Sequence, residues 1–458
     1  MNPALKVAIV HYHLRPGGVS SVIGRALESL RALDARAVVL TGRPPEGNQG
    51  QLPCVCLPGL DYSASGQVGT PEDLAREMAG AAGNALGGSP DLWHIHNHAL
   101  GKNILLSASV TSLARDGHRI LLQIHDFAED GCPANYARLR AAFGAAGAMQ
   151  SYPLYPQADH VHYAVLNRRD QSWLCGAGAD QARVHWLPNS IPAGISAARP
   201  APPAAGRRWV YPARAIRRKN IGEFLLWAAA AKSGEQFAVT LAPTSPSDCA
   251  RYERWKEFAA ELKLPVEFET GLKSGAPPWW QQCDCAVTTS VAEGFGLAFL
   301  EPWMAALPLV GRDLPEITGD LKSAGMDFSM LYARLDVPLK WLDAAAFRER
   351  FNARLLETWK AYGRELPADA PELAWQSSAA GDAFDFGNWT RRHRKPSSAG
   401  SGKIPHWRET CAPPACRWSL RAASRPETQP VFKAASARNH TGNALWQPTR
   451  PSCARRRG

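Results

Sequence analysis

The sequence predicts two doubly wound α/β domains in tandem, and three observations carry that expectation. Short β-branched runs, Val7 to Val10, Ala37 to Thr41, Leu92 to His96 and Ile120 to Ile124, alternate with segments of helical periodicity. The alternation restarts at Trp209, after a Pro- and Ala-rich stretch over 192–206 that reads as a linker. The 458 residues, 45% of them hydrophobic, are too many for one ordinary domain and enough to fill two cores. The expected division is 1–195, 196–388 and an irregular basic tail over 389–458.

The first strand, Val7 to Val10, reads as buried and parallel, and Val19 to Leu33 as the helix after it, with Val22, Ile23, Leu27 and Leu30 at helical spacing. Between them His13-Leu14-Arg15-Pro16-Gly17-Gly18 forms a strand, a glycine turn and a helix start, the geometry that holds an anion. A Gly-x-Gly-x-x-Gly dinucleotide fingerprint is absent. Pro71 to Leu86 reads as a helix. His94, His96 and His98 recur at strand period and could chelate a metal. No cysteine or carboxylate stands next to them, however, and polar residues at a strand's C-terminal end more often line a cleft. His125 ends the strand Ile120 to Ile124 and belongs at the mouth of that cleft, with the loop 127–135 as part of an acceptor wall. His160 to Leu166 and Val184 to Leu187 are further strands around the helix Arg168 to Cys175, and Pro188-Asn189-Ser190-Ile191-Pro192 leads out.

The second half opens with the strand Trp209 to Arg214, the cationic turn Arg217-Arg218-Lys219-Asn220 and the helix Ile221 to Ala231. Four cations between a first strand and its helix make a positive site facing a cleft. Val239 to Ala242, Val266 to Thr270, Ala286 to Thr289 and Pro308 to Gly311 add strands. Pro246 to Lys263 is an amphipathic helix with Trp255, Phe258 and Leu262 on one stripe, Trp279-Trp280 pack, and 344–362 is a closing helix. The strand before Val291 delivers Glu293 into the loop Gly294-Phe295-Gly296, and Leu297 opens a helix that carries Glu301 about one turn in. Gly294 and Gly296 let backbone amides approach a ligand, and the helix start favours an anion. Acids on either side of a phosphate site cannot bind the phosphates themselves. They can accept hydrogen bonds from sugar hydroxyls, which suits a nucleotide sugar.

Glu293-x7-Glu301 with Gly294-Phe295-Gly296 inside it resembles the signature of retaining glycosyltransferases of the GT-B class, family four (glycosyl transferases group 1), over about residues 5 to 388. The resemblance implies two Rossmann-like domains facing a cleft. It implies that Glu293 contacts the donor sugar, Glu301 the ribose, and the amides of Gly294 to Leu297 the distal phosphate. Gly17-Gly18 resembles the family's first loop, where a glycine pair lets the backbone approach the donor phosphates. His125 occupies the place of a histidine that hydrogen-bonds the donor sugar, and Arg214 with Lys219, Arg-x4-Lys, matches the pair that holds the pyrophosphate. Asn189 falls where the family has an Asn-Gly-Val type turn, with Ser190 in place of the glycine. The implied catalytic set is His125, Glu293, Arg214 and Lys219, with no protein nucleophile and no cofactor. The chain has no Asp-x-Asp, which argues against a required divalent metal. The implied partners are a nucleoside diphosphate sugar as donor and a carbohydrate, lipid or small-molecule acceptor. A sugar-nucleotide epimerase or phosphorylase-like enzyme on the same scaffold, or a non-catalytic nucleotide-sugar-binding protein, stays open.

The net charge of +11 is concentrated at one end. Residues 389–458 hold 15 Lys and Arg against Glu409 and Glu427, so the rest of the chain carries −2 and is not expected to bind nucleic acid. The tail loses strand and helix periods and has the character of an out-of-frame translation, with a basic nucleic-acid-binding tail as the other reading. None of the ten cysteines shows Cys-x2-Cys spacing, as expected of small apolar residues in a reducing compartment. With no apolar signal region and no apolar run near the roughly 18 residues of a spanning helix, the chain reads as cytoplasmic, with peripheral contact at the inner membrane left open.

Overall fold

A computed structural model of the chain describes residues 4–15, 17–45, 52–62, 69–144, 152–191, 195, 206–272 and 278–388. Nearly all of the expected linker and the whole of 389–458 lie outside the described residues.

The first sheet has seven parallel strands, β1 (Lys6–His11), β2 (Arg36–Thr41), β3 (Cys54–Cys56), β4 (Leu92–His96), β5 (Ile120–Ile124), β6 (Val161–Val165) and β7 (Val184–Trp186), in the order β3-β2-β1-β4-β5-β6-β7. The second has β8 (Arg208–Arg214), β9 (Gln236–Leu241), β10 (Val266–Phe268), β11 (Cys285–Thr288), β12 (Leu309–Arg312) and β13 (Leu331–Tyr332), in the order β10-β9-β8-β11-β12-β13. Strand order reverses between β1 and β4, where Val10 faces Ile95, and between β8 and β11, where Ala286 faces Val210. Crevices outside the strand ends at such reversals are where α/β sheets bind ligands.

The helices are α1 (Gly18–Ala32), α2 (Pro71–Leu86), α3 (Ile104–Arg115), α4 (Pro133–Phe143), α5 (Arg168–Gly176), α6 (Ile221–Ala229), α7 (Pro246–Glu261), α8 (Leu297–Met304), α9 (Pro315–Ser323), α10 (Ala344–Ala361) and α11 (Ala370–Ser378). The ends of α2 follow from local chemistry. Thr70 and Asp73 form a reciprocal capping box with Pro71 at the first turn, and Gly87 closes the helix at a φ of 66°. Leu74, Ala75, Met78, Ala82 and Leu86 then bury one stripe. Helix α3 is absent from the sequence reading because its buried side includes Ser107, Ser109 and Ser112, which break the apolar period. Ser107 donates to the His98 carbonyl at 2.6 Å and, more weakly, to that of Asn103 at 3.1 Å, and Ser109 donates four residues back to the Leu105 carbonyl at 2.8 Å.

A small antiparallel sheet, β14 (Asp336–Pro338), β15 (Ala379–Ala380) and β16 (Ala383–Asp385), is fastened to the second core by buried charge. The Arg312 guanidinium bonds Glu223 at 2.7 Å and Asp385 at 2.8 Å, and Tyr332 donates to Glu223 at 2.7 Å. At the end of α10 the chain returns to the first half, where Arg140 on α4 donates to the Tyr362 carbonyl at 2.9 Å. Cys283 and Cys285 are buried, and Trp279-Trp280 pack beside Val210 and Leu307. No helix among the described residues is long and apolar enough to cross a membrane.

Candidate functional site

Two loops at the second reversal are tied together by hydroxyls. The Tyr211 hydroxyl donates to the Lys219 carbonyl at 2.8 Å and lies 2.8 Å from Ser290 Oγ, while Thr289 Oγ1 donates to the carbonyls of Lys219 and Asn220, both at 3.1 Å. The Val291 amide donates to the Arg218 carbonyl at 2.9 Å. This lacing brings together residues 74 positions apart, and Lys219 Nζ donates to Glu293 Oε1. The pair is enclosed, with 13% and 6% of the side chains exposed. Burial pushes the Glu293 carboxyl up, but Lys219 and Arg218 outweigh it and hold it below the ordinary carboxylate range.

The first half meets this pair at His125. The Gly294 carbonyl accepts from Asn167 Nδ2 at 2.7 Å, and a Cβ on Gly294 would stand 3.1 Å from the His125 carbonyl oxygen. Arg218 crosses to Asp126, with Nη1 3.3 Å from Oδ1. The His125 amide donates to Asn97 Oδ1 at 2.7 Å, and its Nε2 lies 2.9 Å from His96 Nδ1. Burial, with His94 adding to it, pushes the His125 imidazole down to about 3, so the ring is neutral at pH 7. Asn97 can serve both amides of the turn because it adopts a left-handed φ of 56°.

Glu301, on α8, faces Lys219 and also Arg25 of α1. Burial lifts its carboxyl, and both cations pull the other way. Arg25 Nε donates to Ser190 Oγ at 2.9 Å, and the neighbouring Asn189 Oδ1 is buried without a partner among the described residues. Gly17 is extended, Gly18 is helical, and a Cβ on either would meet nothing nearer than 3.8 Å, so the packing here does not require these glycines.

Arg214, expected with Lys219, donates through Nη1 to the Ala242 carbonyl at 2.9 Å, past a bulge between Tyr211 and Arg214 that sets it opposite Leu241 of β9. Arg218, not singled out in the sequence, stands beside the Glu293 acid. The glycines of the acidic loop serve the protein's own packing as well as any ligand. Gly294 admits His125, while Gly296, at a φ of 91°, lies where a Cβ would meet Ile317 at 2.5 Å. Phe295 packs with Phe299 and Leu314, and Leu297 is the first residue of α8. His94 and His96 share one face, with ring centroids 4.4 Å apart, but His98 does not join them. His94 bonds Gln123 at 2.8 Å, His96 bonds His125, and His98, turned aside by Asn97, bonds the Leu154 carbonyl at 2.9 Å. Among the described residues no cluster of His, Cys, Asp or Glu is placed to hold a metal ion.

The sequence reading missed Asp126, Asn97 and Asn167 as site-building residues. An Asx residue one or two positions after a strand, as at 97, 126 and 167, was the available signal.

No protein-family model matches the chain. It is 25% identical over 327 residues to the mannosylglucosyl-3-phosphoglycerate synthase of Petrotoga mobilis, covering 64% of this chain and 62% of that relative. The matched region therefore spans less than two thirds of the relative's length. Among solved structures, Anabaena HepE in complex with UDP-glucose superposes with a TM-score of 0.51 at 16% identity, over 84% of this chain and 97% of HepE. A glycosyltransferase from Rickettsia africae superposes with a TM-score of 0.50 at 13% identity, over 69% and 81% of the two chains. Two parallel sheets with the same internal strand order, meeting at His125 and Gly294, thus give this chain the fold of the GT-B glycosyltransferases.

Proposed function

We propose that the chain is a retaining, metal-independent glycosyltransferase of family four that moves a sugar from a nucleoside diphosphate sugar to a hydroxyl acceptor. The observation that carries this reading is the Lys219–Glu293 pair at the second strand reversal, one residue from Gly294, whose backbone lies against the His125 carbonyl of the first half. An ammonium held beside a carboxylate supplies what the two ends of a sugar phosphate need: a cation for the phosphate and an acceptor for the sugar hydroxyls.

In this reading the diphosphate lies over the start of α8, within reach of Lys219 and Arg218, and Glu301 accepts from the ribose. Asn189 and the open backbone at Gly17-Gly18 face the same ligand, and Arg214 shapes the strand end rather than holding phosphate. As the bond from the anomeric carbon to phosphate breaks, negative charge builds on the leaving diphosphate, and the two cations stabilise it most at that point. The departing phosphate oxygen takes the acceptor proton on the same face of the sugar. Neutral His125 donates a hydrogen bond to the donor sugar without adding charge. UDP-glucose, the ligand of the HepE complex, is the donor to test first. A panel of nucleoside diphosphate sugars offered with sugar acceptors, read by NMR, tests the reading. Transfer with the anomeric configuration kept supports it. Inversion, or phosphate-dependent turnover without an acceptor, overturns it in favour of another enzyme on this fold.

A further inference from the structure

On the first sheet's side of the cleft, a cation stands that no carboxylate among the described residues pairs with. Lys102 follows the turn after β4 and holds its ammonium 5.3 Å from the centroid of the Tyr62 ring, half-buried and with no ion-pair partner among the described residues. Helix packing does not need a cation there. Asn103 already caps α3 through the Leu106 amide at 2.8 Å, and a positive charge just before a helix start opposes the helix dipole.

Tyr62 is itself held rigidly. Its hydroxyl lies 2.9 Å from His13 Nε2, and its loop is pinned by Asn103 Nδ2, which donates to the carbonyls of Gly59 and Asp61 at 2.8 and 2.6 Å. Arg15 and Arg43 stand within Coulombic reach of both His13 and Tyr62, with Asp61 engaged by Arg43. Lys102 in turn lies within Coulombic reach of Cys132, as do Asp126 and Arg218, so it belongs to the same cleft as the candidate donor site. Ring contacts run from His13 to His11 at 5.7 Å, from His11 to His96 at 6.1 Å and from His96 to His125 at 5.2 Å. With the His13–Tyr62 contact at 4.9 Å, Tyr62 and His125 are therefore four ring spacings apart.

We infer that Lys102, Tyr62 and His13, with Arg15 beside them, form an acceptor subsite for the phosphate or carboxylate of a small anionic sugar or sugar acid, whose hydroxyl then lies toward His125. The inference rests on the glycosyltransferase reading and names the acceptor class for it. An anion over Lys102 would gain the ammonium, the Tyr62 hydroxyl and the field of Arg15, and a neutral sugar would gain none of the charge.

The test is calorimetric binding to the full chain saturated with UDP, using glucose 6-phosphate, 3-phosphoglycerate and glucose as probes. At least one anionic probe is expected to bind more tightly than glucose. Lys102→Gln is expected to weaken it by about tenfold or more while UDP affinity stays unchanged. Tyr62→Phe, which keeps the ring under Lys102, is expected to weaken it less. If UDP binds but neither anionic probe exceeds glucose, or Lys102→Gln leaves the anion's affinity intact, the subsite is refuted while the donor reading stands. Failure of both UDP and GDP to bind would refute the donor reading instead, and if only GDP binds it takes the place of UDP in the test. Recognition of anionic lipid vesicles in place of the soluble probes would also refute the subsite as described.

Discussion

Asn167, at the start of α5, donates a 2.7 Å hydrogen bond to the carbonyl of Gly294, so the loop that carries Glu293 is held by the opposite half of the chain. The same asparagine caps its own helix through the Asp170 amide at 2.8 Å. The acidic loop is thus shaped by contacts that exist only when the two sheets face each other, and the following predictions depend on that arrangement.

Gly294→Ala places a Cβ 3.1 Å from the His125 carbonyl, tighter than an ordinary contact. The halves must separate by a few tenths of an ångström, which misplaces His125 against the donor sugar without touching the cations. Steady-state kinetics should show kcat falling about tenfold or more, with UDP affinity within about twofold of wild type.

Arg218→Ala and Arg214→Ala should differ. Arg218 shares its surroundings with Glu293 and Asp126, whereas Arg214 is committed to the Ala242 carbonyl. Loss of Arg218 should weaken UDP binding by about tenfold, and loss of Arg214 by less than about threefold. Titration of UDP into the two variants checks this, and the reverse order would restore the sequence-based pairing of Arg214 with Lys219.

Arg312 is 4% exposed, and its two carboxylate partners, Glu223 and Asp385, are 0% and 5% exposed. Arg312→Ala strands two buried carboxylates and should cost about 3–5 kcal/mol, with Tm falling by about 6–20 °C. Calorimetric melting reads it directly. A negligible shift would mean that the network is not what holds the small antiparallel sheet.

Stability should fall with acid through the imidazoles. Burial pushes His11 and His125 down to about 3 and His98 to about 4, from an ordinary 6.5. Between those values the unfolded chain binds protons that the folded chain does not. The full stability is therefore present above pH 6.5 and declines as the pH drops toward 4, by up to about 1.4 kcal/mol per pH unit for each imidazole. Chemical denaturation at pH 7.5, 6.0 and 5.0 measures this slope, and a flat profile would contradict the burial of these rings.

Eleven of the thirteen strands described in the two parallel sheets were legible because buried parallel strands such as Val7 to Val10 are continuous apolar runs; the edge strands β3 and β13, three and two residues long, are too short to show a period. The sequence places Lys219 and Glu293 in one site only through the resemblance of Arg214-x4-Lys219 and Glu293-x7-Glu301 to the family's motifs; in the fold each follows a strand that flanks the same reversal. Helix α3 was not legible, since its buried serines interrupt the apolar period and find partners at the His98 and Leu105 carbonyls and the Glu72 carboxylate. The displacement of Arg214 was also hidden: a bulge shifts one side chain by one position, and nothing in Arg-x4-Lys records it. Asn167 and Asp126 gain their meaning only across the cleft, between residues 127 and 92 positions apart.

The most direct test is titration of UDP and GDP into the full chain and into Lys219→Ala, with circular dichroism confirming that the variant is folded. The account predicts that at least one of the two binds the wild type and that the variant loses about tenfold or more in affinity. Binding that is equal in both proteins, or absent from the wild type, would contradict a diphosphate site built on Lys219.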